Sequence, residues 1–321
     1  MTVYYYVETA LSWGASTLDE RLRTSVAGLR LAHPVMNASG ILGYLPEHVG
    51  TMVSWEVSAI VSKTFTKEPR KGYEPPIIVK LGYGSLINAV GLSNPGIEGI
   101  RPFAEAVKNR GLPLIVSVGG FSIQEYVDVS VAAEESGADA IELNMSCPHV
   151  KGGGMEFGRD PLVAFQLVKE VASVVRVPVI VKLGVSDKLL EVSSKVLGAG
   201  SKALTLINTV RAMSIDVFSF KPYLSNVFGG LSGRSIHPIA VWATYVVFRE
   251  TSADIIGVGG VFTWRDAAEL ILAGARAVQV GTALAYRGST VVRNIVAGLR
   301  RWLREVGAGS LSELVGAAHR N

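Results

Sequence analysis

The chain has 321 residues, 49% of them hydrophobic and 18% charged, enough apolar side chain for a large core and too little charge for a disordered segment. Thirty-one basic against 27 acidic residues give a net charge of +4, too weak over this length for a nucleic-acid surface and suited to a small anionic ligand held locally. Charges or turn residues interrupt every apolar stretch before 18 residues, so no membrane span is expected.

Residues Met1 to Glu20 carry aromatic side chains and an early Glu8, with no basic segment leading into an apolar block, so they do not read as a secretory signal. With a single cysteine, the expected setting is cytoplasmic. After these residues come eight short runs rich in Val, Ile and Leu: Pro34–Ser39, Ala59–Lys63, Pro113–Val118, Ala138–Asn144, Pro178–Leu183, Ala203–Asn208, Asp254–Gly259 and Ala277–Gly281. They are apolar rather than alternating, the pattern of strands buried on both faces. Helical stretches follow most of them. Asp160-Pro161 is an N-cap with proline at the first helical position, opening a helix toward Val175. Thr263-Trp264-Arg265-Asp266 is a capping box with Asp in the usual Glu position, opening a helix toward Leu272.

A glycine followed by a return to strand recurs before the fourth, sixth and eighth runs, at Gly137, at Gly198 and Gly200, and at Gly274. Eight strands alternating with helices predict one α/β domain, a (β/α)8 TIM barrel over about 30–290 with a C-terminal helical tail over about 291–321. An open doubly wound sheet is the alternative and needs a strand-order reversal. Two connections exceed simple turns. Phe65 to Leu112 has room for a helix and an antiparallel hairpin around Pro75–Ile87, and Thr209 to Ser235 contains Lys221-Pro222 and Gly229-Gly230. Both leave the carboxyl ends of strands, where barrel sites are built, so extra antiparallel strands and long loops are expected on that face.

The strand ends then deliver, in order, Ser39, Lys63-Thr64, Ser117, Asn144, Lys182, Asn208-Thr209, Gly259-Gly260 and Gly281-Thr282. A lysine that ends a buried strand needs an anion nearby or an escape to water. Glycines ending the seventh and eighth strands let backbone N–H groups approach a phosphate. The set suits a phosphorylated aromatic cofactor such as FMN, with a lysine beside the ring. Cys147, the only cysteine, follows the fourth strand in Asn144-Met145-Ser146-Cys147-Pro148-His149 and precedes Gly152-Gly153-Gly154. It is either a small buried hydrophobe or a working thiol on a loop.

Asn144-Met145-Ser146-Cys147-Pro148 with its glycine-rich continuation resembles the active-site loop of class 1 dihydroorotate dehydrogenases. So do Asn88-Ala89-Val90-Gly91-Leu92, Ile207-Asn208-Thr209, Gly229-Gly230-Leu231-Ser232-Gly233 and the closing glycine motifs, over about Leu29 to Ala285, with spacing closest to the B-type catalytic subunit. The resemblance implies FMN-dependent oxidation of (S)-dihydroorotate to orotate in pyrimidine biosynthesis, with Cys147 as the general base at C5 and hydride passing from C6 to flavin N5. It implies substrate contacts from Lys63, Asn88, Ala89, Val90, Gly91, Leu92, Asn144, Asn208 and Thr209. It implies FMN contacts from Ser39, Lys63, Thr64, Ser117, Asn144, Lys182, Ile207, Gly233, Gly259, Gly260, Gly281 and Thr282. It also implies a homodimer and, for a B-type subunit, a separate partner carrying FAD and a [2Fe–2S] cluster, which a chain with one cysteine does not ligate itself; acting alone, the chain needs a soluble acceptor such as fumarate or a quinone to reach the flavin directly. Two positions depart from the family pattern: Ser117 stands where B-type enzymes have Asn, and His149 where Asn is usual. Ser-Cys-Pro-His resembles dihydropyrimidine dehydrogenases acting on uracil and thymine, so reduction of a carboxylate-free pyrimidine is the second enzymatic reading. A flavin-binding module without turnover is a third.

Overall fold

The computed structural model describes residues 19–145 and 157–320. Eight parallel strands lie at Val35–Asn37, Ile60–Val61, Leu114–Val118, Ala140–Asn144, Val179–Leu183, Ala203–Leu206, Ile255–Val258 and Ala275–Val280. Their order in the sheet is first, eighth, seventh, sixth, fifth, fourth, third, second, so from the second strand on each pairs with the next in sequence, the eighth pairs with the first, and the sheet curls into a TIM barrel. All eight predicted runs are present. The last begins two residues early, at Ala275, because a register shift at Ile255/Ile256 lets Ala275 pair with Ile255.

The first and second strands form the two edges of the ladder, and a side chain joins them. The Asn37 Nδ2 donates to the Val61 carbonyl at 2.7 Å, and its Oδ1 accepts from the Val61 N–H at 3.0 Å. Asn37 is fully buried, and its amide stands in for a peptide group across the seam.

Helices follow each strand, at His48–Ser54, Ile100–Lys108, Ile123–Glu135, Pro161–Val174, Leu189–Gly198, His237–Thr251, Trp264–Ala273 and Thr290–Glu305. The predicted starts hold. Asp160 accepts from the N–H groups of Leu162 and Val163, and Thr263 with Asp266 forms the capping box, each contributing about 1 kcal/mol. The tail helix buries Val291, Val292, Ile295, Leu299 and Leu303 along one face and packs outside the barrel on Trp264–Ala273.

The barrel interior is stacked in layers by the two-residue period of a strand. At the amino end Met36, Val61, Ile115, Ala140, Ile180, Ala203, Ile256 and Ala277 form one apolar cluster. The antiparallel pair Thr24–Val26 and Leu29–Leu31 closes that end with Val26, Ala27 and Leu31. Two residues further along the strands come Ser117, Glu142, Lys182, Thr205 and Gln279, all buried and all polar. Two further still, Asn144, Ile207 and Gly281 reach the carboxyl mouth.

Over that mouth lies a four-stranded antiparallel sheet in the order Val210–Ala212, Gly229–Gly233, Ser85–Asn88, Ile78–Leu81. The expected hairpin in the first long connection is its outer half; the second connection supplies the other half. The pairing sets Gly230 opposite Asn88 and Gly233 opposite Ser85. At Gly233 φ is +92°, and a Cβ would lie 2.2 Å from the Gly84 carbonyl oxygen, so only glycine permits this approach.

Candidate active site

Between the barrel mouth and this sheet is a cavity of about 280 Å³. Its size approaches that of small-molecule and cofactor sites, about 300–1,000 Å³. The predicted residues converge on it from seven of the strand ends and from both long connections. Ser39, Lys63, Thr64, Asn144, Lys182, Ile207, Asn208, Thr209, Gly233, Gly259, Gly260, Gly281 and Thr282 line it, as do Asn88, Val90, Gly91 and Leu92. Two predicted residues do not. Ala89, just past its strand, turns the other way and packs with Ile87 and Leu224 on the face of the sheet away from the cavity. Ser117 is fully buried one layer down, where its hydroxyl meets the Thr64 hydroxyl at 2.9 Å. Cys147 and His149 lie outside the described residues.

At one end the amide side chains hold one another in fixed orientations. Asn144 Nδ2 donates to Thr64 Oγ1 at 3.0 Å, and Asn208 Nδ2 donates to Asn144 Oδ1 at 3.3 Å. The Thr209 N–H donates to Asn208 Oδ1 at 2.8 Å, and the Tyr126 hydroxyl donates to the Asn144 carbonyl at 2.7 Å. Thr64 thereby ties the ends of the second, third and fourth strands together. Lys63 stands beside them with its ammonium 4.7 Å from the centre of the Tyr44 ring. Burial pushes its pKa below the ordinary lysine value. His48, edge-on to the same tyrosine, is likewise held below the usual histidine value, by burial first, and the Lys63 charge adds to that.

At the other end the backbone dominates. Gly259 and Gly260 have φ of +139° and +67°, and a Cβ on Gly260 would lie 2.6 Å from the His237 Cβ. His237 Nδ1 is 2.8 Å from the Gly259 carbonyl oxygen and fixes this turn from behind. Gly281 precedes the helix Thr282–Arg287, whose first hydroxyl donates to Ser232 Oγ at 3.0 Å. Glycine backbone and two hydroxyls make a donor set for a phosphate. Apolar walls from Ile41, Val258 and Phe262 lie between the two ends.

The floor was missed by sequence reasoning. Glu142, fully buried, points up from the fourth strand and meets the Lys182 ammonium at 3.6 Å. Its second oxygen accepts from Thr205 Oγ1 and from Gln279 Nε2, both at 2.9 Å. The anion that Lys182 required is therefore two residues before Asn144 on the same inward face. The signal was the spacing itself: period two puts Ala140, Glu142 and Asn144 on one side of the strand.

Among the described residues no group of three or more His, Cys, Asp or Glu side chains could hold a metal, and no helix is long and apolar enough to cross a membrane. A family model described as dihydroorotate dehydrogenase matches residues 21–303. A relative from Aeropyrum pernix named putative dihydroorotate dehydrogenase A (fumarate) is 50% identical, over 93% of this chain and 98% of its own. One from Thermoplasma acidophilum named dihydroorotate dehydrogenase B (NAD(+)), catalytic subunit, is 45% identical, over 93% of this chain and 99% of its own. A crystal structure of DHODH from Eimeria tenella in complex with ferulenol shares the fold with a TM-score of 0.83 at 22% identity, over 97% of this chain and 92% of that one.

Proposed function

The chain belongs to the dihydroorotate dehydrogenase family of flavin-dependent oxidoreductases, and from that premise we propose that it oxidises (S)-dihydroorotate to orotate in pyrimidine biosynthesis, with FMN as its flavin. The observation that carries the reading is the two-ended cavity, with amides and an ammonium at one end and a glycine-lined phosphate cradle at the other.

The residues present fit FMN. Gly233, Gly259, Gly260, Gly281 and Thr282 would hold the phosphate, and Lys182, Ser39 and Thr64 the ring. Bound there, the flavin supplies the acceptor for the hydride leaving C6 of the substrate. The chain's own residues do the rest. Lys63 offers its charge to the substrate carboxylate in a half-buried setting where that charge is weakly screened. Asn144 and Asn208, already locked by Thr64 and by the Thr209 N–H, present donors and acceptors to the pyrimidine without further reorganisation. Asn88 enters from the sheet above, its amide held on the Gly230 carbonyl at 3.3 Å. Cys147, three residues after Asn144 in the sequence, takes the proton from C5 as thiolate. With an ordinary thiol pKa of about 8.5, the rate rises with pH through that region.

A partner subunit carrying FAD and a [2Fe–2S] cluster, on a homodimeric core, would take the electrons onward. The name of the Thermoplasma relative, a catalytic subunit, supports a partner; the name of the Aeropyrum relative specifies fumarate. Assay of the purified chain with fumarate, a quinone and NAD in turn separates these routes. The decisive experiment for the reaction replaces Cys147 with Ala or Ser. The expected result is a loss of dihydroorotate turnover by orders of magnitude with FMN retained. Activity surviving Cys147→Ala overturns the base assignment, and turnover of dihydropyrimidines but not dihydroorotate overturns the substrate.

A further inference from the structure

The polar layer beneath the cavity is unusual for the inside of a barrel. Glu142 is fully buried, and among the described residues Lys182 alone, at 3.6 Å, is within ion-pair reach of it. Beside Ser117 of the third strand, four strands each contribute one side chain to a connected cluster in the layer: Glu142 from the fourth, Lys182 from the fifth, Thr205 from the sixth and Gln279 from the eighth. Lys182 and Gln279 line the cavity, whereas Glu142 and Thr205 do not. Glu142 therefore cannot meet a ligand directly.

Its connections have a direction. Thr205 and Gln279 both donate to one carboxylate oxygen, which fixes the plane of the group and turns the other oxygen toward the Lys182 ammonium. Gln279 also accepts from Lys182, at 3.5 Å, a long hydrogen bond. Without the carboxylate, that long bond is what remains within the layer to hold a flexible four-carbon side chain. A carboxylate buried with no route to water is costly unless paired, so its place here calls for a task.

We infer that Glu142 is a positioning residue, which fixes the Lys182 ammonium at the cavity floor against the flavin ring. The inference rests on the flavin-binding reading given above. With the ammonium fixed, Lys182 favours the electron-rich reduced ring over the oxidised one; with it loose, that preference is lost. Glu142 thus acts on the cofactor at one remove, through position and charge rather than contact.

The test is a double-substitution cycle read by flavin affinity and by the midpoint potential of the bound flavin, in the full chain. Glu142→Gln is expected to weaken FMN binding at least tenfold and to lower the midpoint potential. Lys182→Met is expected to do the same, and the two together no more than Lys182→Met alone. Thr205→Val removes one donor from the carboxylate without touching the cavity, and is expected to shift both readouts less and in the same direction. It also serves if Glu142→Gln fails to fold. A fall in thermal stability with affinity and potential unchanged reduces Glu142 to a structural role and overturns the inference. So do additive effects, or a raised potential in Glu142→Gln, which would mean that the ammonium stays in place while its counter-charge is gone. If the unaltered chain binds no FMN, the flavin reading and this inference fall together; if it binds FMN and the cycle is additive, only the inference falls.

Discussion

The Asn37 amide joins the seam of the barrel, beside the bonds from the Ser58 N–H and hydroxyl to the Val35 carbonyl, and removing it is the sharpest test of the architecture. In Asn37→Ala the Val61 N–H and carbonyl both lose their partner, in a segment with no access to water. An unsatisfied buried backbone group costs about 1–3 kcal/mol. Two such groups plus the small void set a loss of about 2–6 kcal/mol, and about 3 is expected after local relaxation. Asn37→Asp keeps an acceptor for the N–H but places a carboxylate against the Val61 carbonyl, so it is expected to be no better. The strands on either side of the seam end in Ser39 and in Lys63-Thr64, with the Ser39 and Thr64 hydroxyls 3.5 Å apart. Flavin retention should therefore fall together with stability. Urea unfolding followed by fluorescence and circular dichroism measures the first, and bound flavin after gel filtration the second. A loss below about 0.5 kcal/mol for Asn37→Ala would refute the seam argument, since a net loss that small means other bonds close the barrel.

Three further outcomes are expected. Burial pushes His33 down to about 4, while its Nε2 lies 3.0 Å from the Glu56 carbonyl oxygen. A depressed folded pKa contributes stability that is complete above the unfolded value near 6.5 and is lost as pH falls toward 4, up to about 3 kcal/mol; urea midpoints across that window should decline less steeply in His33→Gln. Gly233→Ala drives a Cβ into the Gly84 carbonyl and holds alanine at φ +92°, so it should cost at least about 2 kcal/mol and release flavin. Gly28→Ala, at φ +84° with nothing within 4 Å, should cost about 1 kcal/mol and leave flavin content unchanged.

Much of the fold is local and therefore readable in the chain. Buried parallel strands need unbroken apolar runs, so all eight barrel strands stand out between glycines, and Asp160 and Thr263 mark their helices because a cap is satisfied within three residues. The residues that end those strands are legible for the same reason: once the fold is a barrel, carboxyl ends converge, and Lys63, Asn144, Lys182 and Asn208 do line one cavity. The tertiary structure decided what depends on which way a side chain turns and what it meets across the sequence. Gly229–Gly233 finds Ser85–Asn88 more than a hundred residues away, and no local signal specifies that pairing. Ala89 turns into the roof rather than the cavity, and Ser117 lies beneath Thr64 rather than beside a ligand, because strand alternation and layer depth are set by register. Glu142 reads as one polar residue in an apolar strand until the barrel closes around it. Only then do Lys182, Thr205 and Gln279, spread over nearly a hundred residues of sequence, come within reach of a single carboxylate.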